Sequence, residues 1–174
     1  MAAMDEGYPF AFTMNDRSEA NELLLYTTQY RFRSAKSHHT YIVRVEKYLH
    51  HVYCLKFFDK AMMLSKDKFS LRSNTFEPRT IFYTLYHIMI DVLNKDQQAS
   101  FFFIGAQDEK DEIGEATRRF RVYRKFVSSI IGENKFAHYK FNELSLYVLV
   151  NNNAPIESQL LAVEIANHVK QALV

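Results

Sequence analysis

The sequence is poor in the residues that build the best-known reactive and nucleotide-binding loops. One cysteine, Cys54, stands alone, which excludes a disulfide framework and a thiolate zinc site and suits a reducing cytoplasm. With only Gly7, Gly105, Gly114 and Gly132, neither GxGxxG nor GxxxxGK[ST] can be written. No uninterrupted apolar run approaches the about 18 residues of a membrane span. The opening MAAMDEGYPF lacks a basic stretch followed by an apolar one, so no secretion leader is expected and a cytoplasmic location is. Tryptophan is absent and there are three prolines, but 48% of the 174 residues are hydrophobic, enough for a substantial core.

Charge is nearly balanced, 22 basic against 20 acidic side chains, which argues against bulk polyanion binding. Its distribution is uneven. Residues 1–25 hold five acidic and one basic side chain, whereas residues 26–106 hold twelve basic and six acidic. Residues 107–174 hold nine of each.

Periodicity gives the elements. Tyr30 to Ser34 alternates aromatic and basic residues, as a strand with one buried face does. Thr40–Tyr48 and Val52–Phe58 read as two further strands, and the short Leu49-His50-His51 link makes them an antiparallel hairpin. Residues 60–76 read as a polar loop. Pro78 opens a helix with Ile81, Phe82, Leu85, Ile88, Met89, Val92 and Leu93 at helical spacing. Phe101–Ile104 is a short buried strand ending at Gly105. A second helix is predicted over 115–131, with Gly132 as its left-handed cap. Lys135–Phe141 and Ser145–Val150 are strands joined through Asn142-Glu143, and Asn151–Asn153 with Pro155 cap a terminal helix. The order β-β-β-α-β-α-β-β-α predicts a single-domain α+β fold with an antiparallel sheet of about six strands. The division expected is an acidic leader over 1–23, a core over 24–151 and a C-terminal helix over 152–174.

Few side chains suggest chemistry. His38 and His39 precede the second strand while His50, His51 and Cys54 follow it, so the two pairs lie roughly 30 Å apart and cannot share a metal. Turn and surface positions suit them, and His87 suits packing or solvent exposure. Asp108, Glu109, Asp111, Glu112 and Glu115 form an acidic run without EF-hand order, favoured ahead of a helix by the macrodipole. Asp59, at a strand end, is the best isolated acid and suits capping a turn. No G-x-S-x-G elbow is present, and Cys54 inside a strand reads as an inert core thiol. No catalytic residue, cofactor or metal ligand is assigned.

The second helix is richer. Arg118, Arg121 and Lys125 fall within about 60° of one another opposite the apolar stripe, Arg124 flanks them, and Arg119 lies toward the buried edge. A solvated face, phosphate contact and an acidic protein partner all remain open. Arg31 and Arg33 share the outer face of the first strand, with Tyr30 and Phe32 opposite, so those rings belong to the core rather than to a base-stacking surface. No RNP or GXXG motif is present.

Taken in order, Tyr30-Arg31-Phe32-Arg33-Ser34, Val52 to Asp59, the helix from Pro78, Phe101 to Ala106 and Arg118 to Arg124 form a recurring pattern. It resembles a family of short, uncharacterised bacterial α+β proteins common in Bacteroidetes, over roughly residues 24–151. That family carries Y-x-F-x-S, Y-x-L-x-F-G-D, a strand ending in Gly-Ser-Thr, an Arg-Thr-x-Leu-Tyr-Arg helix and a closing Y-x-x-F strand. Here Phe58 replaces the glycine before the strand-end aspartate, Ser73-Asn74-Thr75 replaces a polar Asn-Gly-Asp turn, and Gly105-Ala106-Gln107 replaces Gly-Ser-Thr. If those turns form a phosphate or substrate pocket in the family, this chain lacks part of it. The resemblance implies no activity.

The function expected is a non-enzymatic cytoplasmic binding module that contacts nucleic acid or another polyanion through Arg118, Arg121, Arg124 and Lys125, with Arg31 and Arg33 contributing. The alternatives are a protein-interaction component, such as one partner of a toxin–antitoxin-like pair, and an enzyme using Asp59 or the Asp108–Glu115 carboxylates. The terminal helix, apolar over a broad arc at Ile156, Leu160, Leu161, Val163, Ile165, Val169, Leu173 and Val174, predicts a homodimer to which it contributes, and no membrane contact is expected.

Overall fold

The computed structural model describes residues 6–65, 68, 77–105 and 116–172. These form strands β1 (Phe10–Asp16), β2 (Leu24–Arg33), β3 (Thr40–Tyr48), β4 (Val52–Asp59), β5 (Ser100–Ile104), β6 (Phe136–Phe141) and β7 (Leu146–Asn151). The helices among them are α1 (Pro78–Lys95), α2 (Arg118–Ile130) and α3 (Ser158–Ala172). The fold is α+β, with a mostly antiparallel seven-stranded sheet ordered β1-β2-β3-β4-β5-β7-β6. From β2 onward the element order is the one the sequence predicts.

The extra strand is β1, inside the segment expected to be an acidic leader. Phe10, Phe12 and Met14 alternate with Ala11, Thr13 and Asn15, a period of two that lets the segment pair with β2. β2 is also longer than the Tyr30–Ser34 run, beginning at Leu24 and bearing a register shift between Leu24 and Tyr26 that interrupts the alternation.

Two compact units divide the chain: Met1–Leu49 with Cys54–Lys95, and His50–Tyr53 with Asp96–Val174. In the first, Phe10 pairs with Phe32 and Phe12 with Tyr30 across β1 and β2, and Phe32 pairs with Tyr41 across β2 and β3. Phe32 stacks between Tyr8 and Tyr41 at centroid distances of 6.1 and 5.1 Å. Helix α1 packs on this aromatic face, where the Tyr30 hydroxyl donates to Asp91 at 3.0 Å. Burial and the Asp91 carboxylate both push the Tyr30 phenol well above its usual range. Ile88 and Met89 of α1 are fully buried, each contributing about 1.5–3 kcal/mol. Thr84, a polar residue within that interface, donates to the Thr80 carbonyl and accepts from Tyr8 N, both at 2.8 Å.

In the second unit β7 lies between β5 and β6, and every residue from Leu146 to Val150 is inaccessible to solvent. Helix α2 meets the face bearing Tyr147, with Ser128 Oγ 3.3 Å from the Tyr147 hydroxyl. Helix α3 meets the other, with Ser158 Oγ 2.8 Å from the Tyr139 hydroxyl. Covered on both sides, β7 reads as a continuous apolar run.

Three expected boundaries shift. Helix α2 starts at Arg118 because Thr117 caps it, accepting from Phe120 N at 3.1 Å. It ends at an extended Ile131 (φ −102°, ψ 114°), so Gly132 is not a left-handed cap. Helix α3 is capped by Glu157, whose carboxylate accepts from Gln159 N and Leu160 N at 3.0 Å each. Asn151 instead donates to the Gln97 and Ala99 carbonyls. Of the loop expected over 60–76, Lys60–Met62 form a 3₁₀ turn, and residues 66–67 and 69–76 lie outside the described residues.

Candidate polyanion-binding helix

Helix α2 is fixed to its own unit at its N-cap, Thr117. Thr117 Oγ1 donates to the Gly105 carbonyl at 2.8 Å, and Thr117 N donates to Ser145 Oγ at 2.8 Å. Gly105 N in turn donates to the Ser145 carbonyl at 2.9 Å. Ser145 sits in the left-handed region (φ 49°), which turns its hydroxyl and carbonyl toward these two donors. Phe120 and Val127, both fully buried, hold the inner face down.

The outer face carries Arg118, Arg121, Val122, Lys125 and Ser129, all exposed, while Ser128 stands at its edge and reaches the Tyr147 hydroxyl. Arg121 Nη1 donates to the Ala116 carbonyl at 3.3 Å, at the foot of its own helix. Arg119 is half-buried, in keeping with its place at the edge of the stripe. Arg124 is turned away: Nη1 donates to Asn142 Oδ1 at 3.2 Å and the guanidinium lies 5.7 Å from the Phe120 ring centre. Of the basic residues predicted here, Arg118, Arg121 and Lys125 therefore share the open face, and Arg124 braces the helix against the Asn142 turn.

Arg31 and Arg33 belong to the other unit. Both are exposed on the face of β2 opposite buried Tyr30 and Phe32, with Arg31 across from Ala11 and Ile42 and Arg33 across from Thr40. The aromatic rings are core, as the alternation requires.

His38, His39, His50 and His51 stand in the links flanking β3, and two of them are paired in a way the sequence did not reveal. His38, His50 and His51 have left-handed backbones (φ 62°, 63° and 59°), each costing about 1–2 kcal/mol without a glycine. His39 Nδ1 bonds Asp59 Oδ2, while Asp59 Oδ1 accepts from Ala61 N at 3.0 Å and so caps the turn as expected. His51 Nδ1 lies 2.8 Å from Asp96 Oδ2, which also accepts from the Tyr53 hydroxyl at 2.8 Å. Burial draws the Asp96 carboxyl upward, but bonds from His51, Tyr53 and Gln98 N outweigh it and hold the group below its usual range. The partners are 20 and 45 positions apart, so only Asp59 could be singled out, by its place at the end of an apolar strand. A carboxylate on Nδ1 orients an imidazole but does not supply a reacting partner.

A third histidine, His138, closes a chain of polar contacts beneath α2. Its Nδ1 is 2.6 Å from the Tyr147 hydroxyl, and its Nε2 is 3.3 Å from the Gly132 carbonyl. A carbonyl only accepts, so with a neutral ring this geometry suits the tautomer protonated at Nε2, with Tyr147 donating to Nδ1. His87 packs against the chain at Gly7, where a β-carbon would come within 2.9 Å of Nδ1. Among the described residues no three His, Cys, Asp or Glu side chains converge as metal ligands. The Asp108–Glu115 run lies outside the described residues.

Comparison of the chain with protein families, curated proteins and solved structures gives no match. No helix among the described residues is long and apolar enough to cross a membrane.

Proposed function

We propose that this protein is a non-enzymatic, cytoplasmic module that binds phosphate-bearing polyanions, nucleic acid foremost, through the outer face of α2. The observation that carries the reading is that face itself: Arg118, Arg121 and Lys125 lie exposed along a helix that bears five basic side chains and no acidic one. Arginine forks match phosphate oxygens, and each neutralised phosphate releases counterions. Binding of a labelled oligonucleotide, followed by fluorescence anisotropy, tests it. Replacing Arg118, Arg121 and Lys125 together by alanine is expected to abolish binding at low salt, and single replacements to lower the salt slope by about 0.7–0.9 each. Arg31 and Arg33 provide a separate contact, so their removal weakens binding less. Binding that survives the triple replacement unchanged rejects this reading.

A second reading, contact with another protein chain, has its own support on α3. Leu161, Ile165 and Val169 dock on the sheet, which accounts for most of that helix's apolar surface. Leu160 and Val163 remain exposed one turn apart, where they suit a homodimer contact. Light scattering after gel filtration is expected to show a dimer that dissociates on Leu160→Lys. A monomer for the unaltered protein rejects it.

A further inference from the structure

From the make-up of the outer face of α2 we infer that the polyanion is duplex DNA and that this helix enters its major groove. The inference rests on the polyanion reading above and adds a form and a groove to it. Arg118, Val122, Lys125 and Ser129 follow one another at spacings of three and four, with Arg121 beside them, so they make a continuous stripe along the helix. From Arg118 to Ser129 the stripe runs about 18 Å, and a helix with its side chains is about 10–12 Å across, against a groove about 12 Å wide.

Its composition separates duplex from single strand. Single-strand binders place aromatic rings under successive bases. Here Phe120 is fully buried, Tyr123 and Phe126 are only partly accessible, and no aromatic residue of α2 is exposed. What lies between the cations is Val122, 40% exposed, and the Ser129 hydroxyl, which donates to the Phe126 carbonyl at 2.9 Å and so is left with acceptor capacity only. A branched methyl surface suits the thymine C5-methyl, and a hydroxyl whose proton is committed accepts from an adenine or cytosine amino group. Arg118, Arg121 and Lys125 supply charge complementarity to the two phosphate walls, and arginine also reads guanine.

The same geometry separates DNA from RNA. The major groove of an A-form RNA duplex is deep and narrow and shuts out a helix. The test is anisotropy with four probes under one low-salt condition: a mixed-sequence DNA duplex of about 20 base pairs, the RNA duplex of the same sequence, the DNA single strand, and heparin as competitor. The DNA duplex is expected to bind about tenfold or more tighter than the RNA duplex and the single strand. Val122→Trp sets a bulky ring in the stripe without changing charge. It is expected to weaken the DNA duplex about fivefold or more and leave the affinity for heparin itself unchanged once the weaker probe binding is allowed for, with circular dichroism confirming the fold. DNA and RNA duplexes binding equally, the single strand binding tightest, or Val122→Trp leaving duplex affinity unmoved would each overturn groove entry while the polyanion reading stood. Failure of all four probes to bind overturns both.

Discussion

Gly105 lies under the first turn of α2 so closely that a β-carbon there would stand 2.4 Å from Phe120 N and 2.6 Å from Phe120 Cα. Both atoms are backbone, and neither can swing aside as the tip of a flexible side chain does. The glycine is required by this approach, because its own backbone is not in the left-handed region. Gly105→Ala is therefore expected to force α2 off its seat and to cost about 1–3 kcal/mol or more, read from the urea unfolding midpoint. Since the displaced helix is the proposed binding element, oligonucleotide affinity should fall with it. An unchanged midpoint would mean that α2 shifts outward at no cost.

Thr117 performs two tasks with one hydroxyl. Its oxygen accepts from Phe120 N and its proton goes to the Gly105 carbonyl, both within the buried junction. Thr117→Ala loses the helix cap, about 1–2 kcal/mol, and leaves the carbonyl without that donor. Thr117→Ser retains both bonds and should recover most of the loss in equilibrium denaturation. If serine fares no better than alanine, the methyl group and not the hydroxyl is what matters.

The contrast between these two positions shows what the sequence carries. The order of elements follows from local periodicity: Thr40–Tyr48 is the strand expected to the residue, and Pro78 opens α1. Phe10, Phe12 and Met14 also announce a strand, although attention to the acidic residues around them conceals it. Arg118, Arg121 and Lys125 were legible as one face because helical geometry alone decides it. Contacts that depend on tertiary placement were not legible. Gly105 reads as a strand end, and nothing local says that a helix turn 15 positions later will rest on it. Arg124 reads as part of the basic face, and only the Asn142 turn withdraws it. Asp96 reads as the residue after a helix, without the His51 and Tyr53 contacts that define its chemistry.

Cys54 tests the core directly. It is 1% exposed, and burial pushes its thiol up to about 12, against the opposing pull of the Lys56 ammonium. Native protein should therefore resist a thiol reagent such as dithionitrobenzoate at pH 8, reacting only as fast as it unfolds. Denatured protein should react at once and release one equivalent. Prompt labelling of the native state would place the thiol outside the core.

Asp96 links stability to pH. Its carboxyl is held below its unfolded value by the bonds from His51, Tyr53 and Gln98 N. A group depressed in the folded state contributes stability that is complete above its unfolded pKa of about 3.9 and is lost as pH falls through the folded value. Asp96→Asn keeps one carbonyl acceptor but loses the charge, so it should cost about 1–3 kcal/mol at neutral pH. As pH falls below about 4 the unfolded chain takes up the proton at this position before the native state does, so the gap between the two stability curves narrows and closes below the lower folded value. The left-handed His50-His51 turn sharpens this outcome. With His51 no longer held by a carboxylate, the turn loses part of what offsets its strain, and amide exchange around residues 50–53 should rise in the variant at neutral pH. Parallel curves from pH 3 to pH 7 would place the acid sensitivity of the fold in other carboxylates.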